Sequence, residues 1–161
     1  MIPIYFHSEQ VGTSTTAGGT GSSLPASFND IQRKLRQWLE QVEQSLLTDT
    51  VRIVDLQAID VKKRMYKDLL DQTFEQEHHM EQLHIISREY YTKLTIDTSR
   101  RLQEELTNYK DRLDDVKMFL SERLAKYNRV DKTLSEFEVI IKHIDYIMTK
   151  HSFTLEKCRR S

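Results

Sequence analysis

A cluster of three of the six histidines, a scatter of carboxylates and one thiol are the first candidates for chemistry in this sequence. His78, His79 and His84 lie close together. A metal-binding pair on one helix needs ligands three or four residues apart. The spacings from His84 are five and six, so no metal site, and no other cofactor, is expected. Glu104, Glu105, Asp111, Asp114 and Asp115 supply carboxylates. General acid–base work needs two of them facing one pocket. They alternate instead with Lys110, Arg112 and Lys117, the pattern of solvated pairs along a helix. Cys158 has no base near it in sequence, so it is not expected to act as a nucleophile. No glycine-rich phosphate loop is present. The residues predict a protein that is not an enzyme.

Composition narrows the class further. The 161 residues carry a net charge of −1, and 30% of them are charged, with both signs interspersed. That is the look of solvated helix faces rather than a nucleic-acid footprint, so no nucleic-acid partner is expected. The short basic end of Lys157, Arg159 and Arg160 does not change this. No run approaches the roughly eighteen apolar residues of a membrane span. The opening Met1-Ile2-Pro3-Ile4-Tyr5-Phe6 lacks the basic start of a signal peptide. A single cysteine excludes an intrachain disulfide framework and fits a reducing compartment. A soluble, cytoplasmic chain is expected.

The element that must position everything else runs from Leu102 to Met148. Leu102, Leu106, Tyr109, Leu113, Val116, Leu120, Arg123, Tyr127, Val130, Leu134, Phe137, Ile141, Ile144 and Met148 follow one another in alternating steps of four and three. All but Arg123 are apolar or aromatic, where a 38% hydrophobic composition would place about five by chance. This is one helix of roughly 70–75 Å. Arg123 is the single break in the seam. Its long stem can carry the guanidinium to the surface, or it can pair with an acid such as Glu77.

All glycines and prolines fall within residues 1–25, and residues 11–23 are almost entirely Gly, Ser, Thr and Ala. Such a segment buries too little to offset ordering entropy, and a disordered tail is predicted there. Ile2 to Phe6 would be the part of it able to act as a peptide ligand. Beyond Pro25 there is no helix breaker at all. A first helix is predicted from about Ser27, with Ser27 and Asp30 as a capping box, to Thr48–Thr50. Its seam is Phe28, Ile31, Leu35, Trp38 and Val42, widened by Leu39 and Leu46. A second helix is predicted from about Asp55 to Tyr91. Its stripe is Leu56, Ile59, Lys63, Tyr66, Leu70, Thr73, Glu77, Met80 and His84, flanked by Phe74 and Leu83 among others. Asp97 is the candidate N-cap of the third helix. Short connections make the helices antiparallel neighbours, in an all-α three-helix bundle.

The third helix is too long for these partners. Beyond about Arg129–Lys132, Leu134, Phe137, Ile141, Ile144 and Met148 repeat the order and phase of Phe28, Ile31, Leu35, Trp38 and Val42, each pair 106 residues apart. A stripe recurring at a fixed offset is the mark of a repeat. Three regions are thus expected: a tail at 1–25, a bundle at 26–132, and the first helix of a second unit with a terminal tail at 133–161.

Long heptad helices, this offset, a third helix running unbroken into the next first helix, and Trp38 midway along the first helix together resemble a spectrin repeat. Leu113 after Arg112, and Ile144 at the next tryptophan position, depart from the pattern and bring it nearer the dystrophin, utrophin and nesprin repeats. The resemblance implies a non-enzymatic cytoskeletal spacer and docking surface at the cytoskeleton or cell cortex. Its partners would be other protein helices, adjacent spectrin-like repeats, or proteins of cytoskeletal and membrane-associated complexes. The structural core expected is Leu35, Trp38, Leu70, Phe74, Leu113, Val116 and Leu120. The candidate interface is Phe137, Ile141, Ile144 and Met148. The alternative is a self-associating coiled-coil tether or helical dimer in which the long seam pairs with itself. If Trp38 is a full core residue, Trp38→Ala should cost about 3–5 kcal/mol in denaturant unfolding.

Overall fold

The computed structural model describes residues 24–49 and 56–160, and every regular element among them is helical. They form α1 (Ala26–Thr48), α2 (Leu56–Tyr90) and α3 (Ile96–Arg159). The predicted tail, with its Ile2–Phe6 peptide, lies outside the described residues except for Leu24 and Pro25. Leu24 already packs partly on the core.

Cross-helix bonds fix the directions. Near the start of α1, Gln32 Nε2 donates to Glu105 near the start of α3, at 2.7 Å. Near the end of α1, Asp49 meets Tyr127 far along α3. The two helices therefore run parallel. α2 runs back between them: Lys63, near its start, pairs with Asp131 at 2.6 Å, and Glu77 pairs with Lys117. The arrangement is an up-down-up three-helix bundle.

The helix ends differ in detail from the capping expected. α1 begins one residue early, at Ala26, so Ser27 sits inside its first turn rather than at a cap. Pro25 opens the helix with its carbonyl, which accepts from Phe28 N at 2.9 Å. Proline suits this entry because its fixed φ is already helical and its missing N–H would have had no partner. α3 is capped by Thr95, whose hydroxyl accepts from Thr98 N at 3.2 Å. Asp97 instead lies in the first turn, where its charge suits the helix dipole and pairs with Arg100 at 2.7 Å.

The core follows the α3 seam closely: Leu102, Leu106, Tyr109, Leu113, Val116, Leu120 and Tyr127 are all buried. α1 contributes Phe28, Leu35, Leu39, Val42 and Leu46. Leu39 is fully buried, while Trp38 packs on the core from its edge and donates its indole N–H to Gln72 Oε1 at 2.8 Å. Trp38 is thus a flank of the core, not its centre; one residue of rotation, about 100°, gave the deep position to Leu39.

α2 departs most. Its buried positions are Ile59, Tyr66, Thr73, Gln76, Met80, Leu83 and Ser87. From Thr73 onward the steps are three, four, three, four, but through Gln76, Leu83 and Ser87 rather than Glu77 and His84. Phe74, expected in the core, is 72% exposed, because it follows buried Thr73 on the outer side of the helix. Leu70 is half-buried against the core. The polar residues that replace them carry their own partners. Thr73 Oγ1 donates to Leu70 O at 2.5 Å and Ser87 Oγ to His84 O at 2.9 Å. A buried hydroxyl bonded within its helix avoids the cost of an unmet hydrogen bond.

Leu39→Ala should therefore destabilise by about 2–5 kcal/mol, and Trp38→Ala by only about 1–3 kcal/mol. Phe74→Ala should stay within about 0.5 kcal/mol. Urea midpoints for the three variants measure this, and a Phe74 variant as damaged as the Leu39 one would contradict the observed face of α2.

Candidate functional site

The seam of α3 meets two fates. Up to Tyr127 it is buried, and Val130 and Leu134 still pack partly on the core. Beyond Leu134 every described residue is exposed. The repeated stripe makes the contrast direct. Leu35 and Val42 are 0% and 2% exposed, whereas Ile141 and Met148, at matching positions, are 55% and 65% exposed. Phe137 and Ile144 are exposed as well, so all four candidate interface residues stand on one open face. Ile140 and Ile147 are exposed beside them and broaden the stripe on one side only. The other side carries Glu138 and Asp145. Sequence reading missed this widening, although the doubled Ile140-Ile141 signals it.

At the boundary between the covered and open parts of α3, the end of α1 is tied down by polar groups. Asp49, whose side chain is 5% exposed, follows the last helical residue. Its carboxylate accepts from Lys62 Nζ at 2.6 Å, from the Tyr66 hydroxyl, and from the Tyr127 hydroxyl at 3.3 Å. The Tyr66 and Tyr127 rings stack with centroids 5.6 Å apart. Arg123 donates to the backbone oxygens of Asp49 at 3.1 Å and Leu46 at 3.5 Å. Here is the role of the one polar residue in the seam. It does not pair with Glu77; half-buried, it caps the carbonyls that end α1, where a cation also meets the negative end of the helix dipole. Glu77 is taken by Lys117. A second tie, Arg112 to Glu43, is bidentate at 2.8 and 2.7 Å.

These contacts shift the ionisations at the junction. Burial alone would raise the Asp49 carboxyl; the bonds from Lys62 and Tyr66, with the Lys62 charge, outweigh it and hold Asp49 below the usual carboxylate range. Tyr66 is pushed well above an ordinary phenol, first by burial and then by the Asp49 carboxylate. Tyr127 moves the same way for the same reasons.

Among the described residues no group of three or more His, Cys, Asp or Glu is placed to hold a metal. His79 turns towards Gln76, with Nδ1 and Oε1 3.1 Å apart, and burial lowers its pKa. An open cleft of about 390 Å³ between α2 and α3 is walled by Glu77, Glu81, His84, Lys110 and Asp114 over Met80 and Leu113. Two ion pairs lie along it, Lys110 with Asp114 at 2.9 Å and Glu77 with Lys117. Cys158 is exposed near the end of α3. No helix of the described residues is long and apolar enough to cross a membrane. Comparison with protein-family models, with curated proteins and with solved structures finds no match.

The junction makes stability depend on pH at both ends. Asp49 is depressed on folding, so its contribution is present above the unfolded carboxyl value of about 4 and is lost as pH falls through the lower folded value. Tyr66 is raised on folding, so its contribution is present below about 10 and is lost as pH rises through the folded value. Asp49→Asn should lower stability near pH 7 by about 1–3 kcal/mol. It should also flatten both limbs of the curve of unfolding free energy against pH. Limbs as steep as in the parent chain would exclude Asp49 as their source.

Proposed function

We propose that this chain is a non-enzymatic structural module of spectrin-like build, a spacer and docking surface made of helices. The observation that carries the reading is the recurrence of the α1 stripe on the open part of α3, buried in the first instance and bare in the second. An up-down-up bundle with α3 continuing unbroken past its end supports it. On this reading α3 is both the third helix of one unit, 26–132, and the first helix of another, 133–161. The bare stripe takes helices from another protein or from an adjacent repeat. The finer placement, as a divergent repeat of the dystrophin, utrophin or nesprin kind in a linker between actin and membranes or organelles, rests on the resemblance drawn from sequence.

The alternative of a long seam pairing with itself narrows to one segment. α1 and α2 already cover α3 from Leu102 to Tyr127. Self-association is left only the residues beyond Leu134.

A grafted chain tests the repeat reading without a known partner. Residues 49–132 are appended after Thr154, the position that corresponds to Thr48, so that the bare stripe is offered its own α2 and α3. Expected are a new set of helical residues by circular dichroism and a urea m-value about twice the parent's. An appended segment that stays unfolded, with the parent's m-value, would sink the reading of the open stripe as the first helix of a repeat.

A further inference from the structure

The open end of α3 has a shape that selects its occupant. Continuing the heptad, Leu134, Ile141, Met148 and Leu155 hold one core position, and Phe137, Ile144, His151 and Cys158 the other. The stripe is lopsided. Ile140 and Ile147 flank it on one side and Glu138, Asp145, Ser152 and Arg159 on the other. When two such helices pair in parallel, each flank meets the opposite flank, and Ile140 would face an aspartate. When they pair antiparallel, like flanks meet, apolar on apolar and polar on polar. The charge along the segment is also divided. From Leu134 to Ile147 the acids Glu136, Glu138 and Asp145 outnumber Lys142. From Met148 to Arg160 the bases Lys150, Lys157, Arg159 and Arg160 outnumber Glu156. A parallel pair sets like against like; an antiparallel pair sets the acidic half against the basic half.

We infer that the open end of α3 docks on a second copy of this chain, antiparallel, to give a dimer with a three-helix bundle at each end. This rests on the reading of the stripe as a docking surface and names its partner. One register satisfies the pattern. Leu155 lies on Phe137 of the second copy, Met148 on Ile144, Ile147 on its own equivalent across the twofold, and Glu138 within reach of Arg159. His151 faces Ile141 of the second copy and Cys158 faces Leu134. In this register Arg159 comes level with Thr133, close to where the bundle stops. The paired length is about 40 Å. Val139, Tyr146 and Phe153 lie on the opposite face and take no part.

Sedimentation equilibrium on the full chain tests the assembly, and the single native cysteine tests its direction. A dimer is expected, with Ile141→Asp raising its dissociation constant at least about 100-fold and Tyr146→Ser leaving it within about 2-fold. Glu138→Arg and Arg159→Glu should each weaken it by about 3- to 10-fold, with the double reversal restoring it. Spin labels on Cys158 should lie about 35–40 Å apart. A parallel dimer, with Cys158 near enough to its equivalent to form a disulfide on oxidation, would overturn the inference. So would a dimer indifferent to Ile141→Asp, or a chain that stays monomeric to about 1 mM. A monomer whose grafted second bundle nevertheless folds would remove the second copy as occupant and leave the docking reading standing.

Discussion

An apolar seam on a helix has to be covered, and the length of cover this chain supplies determines its whole architecture. α3 is 64 residues long, about 96 Å of helix, and from Leu102 to Met148 it carries one seam without a slip. α1 and α2 are 23 and 35 residues long. Helices of that length, folded back as neighbours, run out near Val130 to Leu134. The seam is buried or half-buried up to this point and exposed beyond it, although the residue pattern does not change. The change in environment along α3 therefore comes from the supply of partners, not from α3 itself.

Close to the point where cover runs out, polar groups of all three helices meet. A helix that stops inside a bundle leaves carbonyls without partners, and a buried unmet carbonyl is costly. α1 stops there, and Arg123 of α3 serves its carbonyls while Asp49 gathers Lys62, Tyr66 and Tyr127 from the other two helices. All three helices are thereby held at one level. The heptad gives up one apolar position for this. The exchange fixes where α1 ends relative to α3, which apolar contacts alone, repeating every heptad, would leave free to slip.

How much of this could be read from sequence depended on the kind of signal each element carries. α3 was legible from Leu102 to Met148, because an unbroken four-three rhythm has one physical meaning, but its last turns, helical to Arg159, were expected as a terminal tail. α1 was legible to within a residue at its start, though periodicity did not separate Trp38 from its neighbour Leu39, and packing chose the smaller side chain for the interior. α2 was least legible. Thr73, Gln76 and Ser87 occupy core positions, and Phe74 stands outside. Hydropathy cannot see that a threonine bonded to its own helix is cheap to bury. The junction at Asp49 was invisible for a different reason: Lys62, Tyr66 and Tyr127 lie 13, 17 and 78 residues away in the chain. Of the open stripe, the four residues in the seam were legible and the one-sided widening at Ile140 and Ile147 was not.

The absence of any break in α3 also sets a direction in space. A straight α-helix falls about 20° behind a seven-residue repeat with each heptad. From Val116, in the middle of the covered part, to Ile144, in the middle of the open part, is four heptads. Without supercoiling, the bare face has turned by about 80° around the helix axis from the side on which α1 and α2 lie. In that case whatever settles on it stands a quarter-turn away from the bundle it follows, and the whole advances as a screw rather than as a flat ladder; supercoiling would reduce the turn.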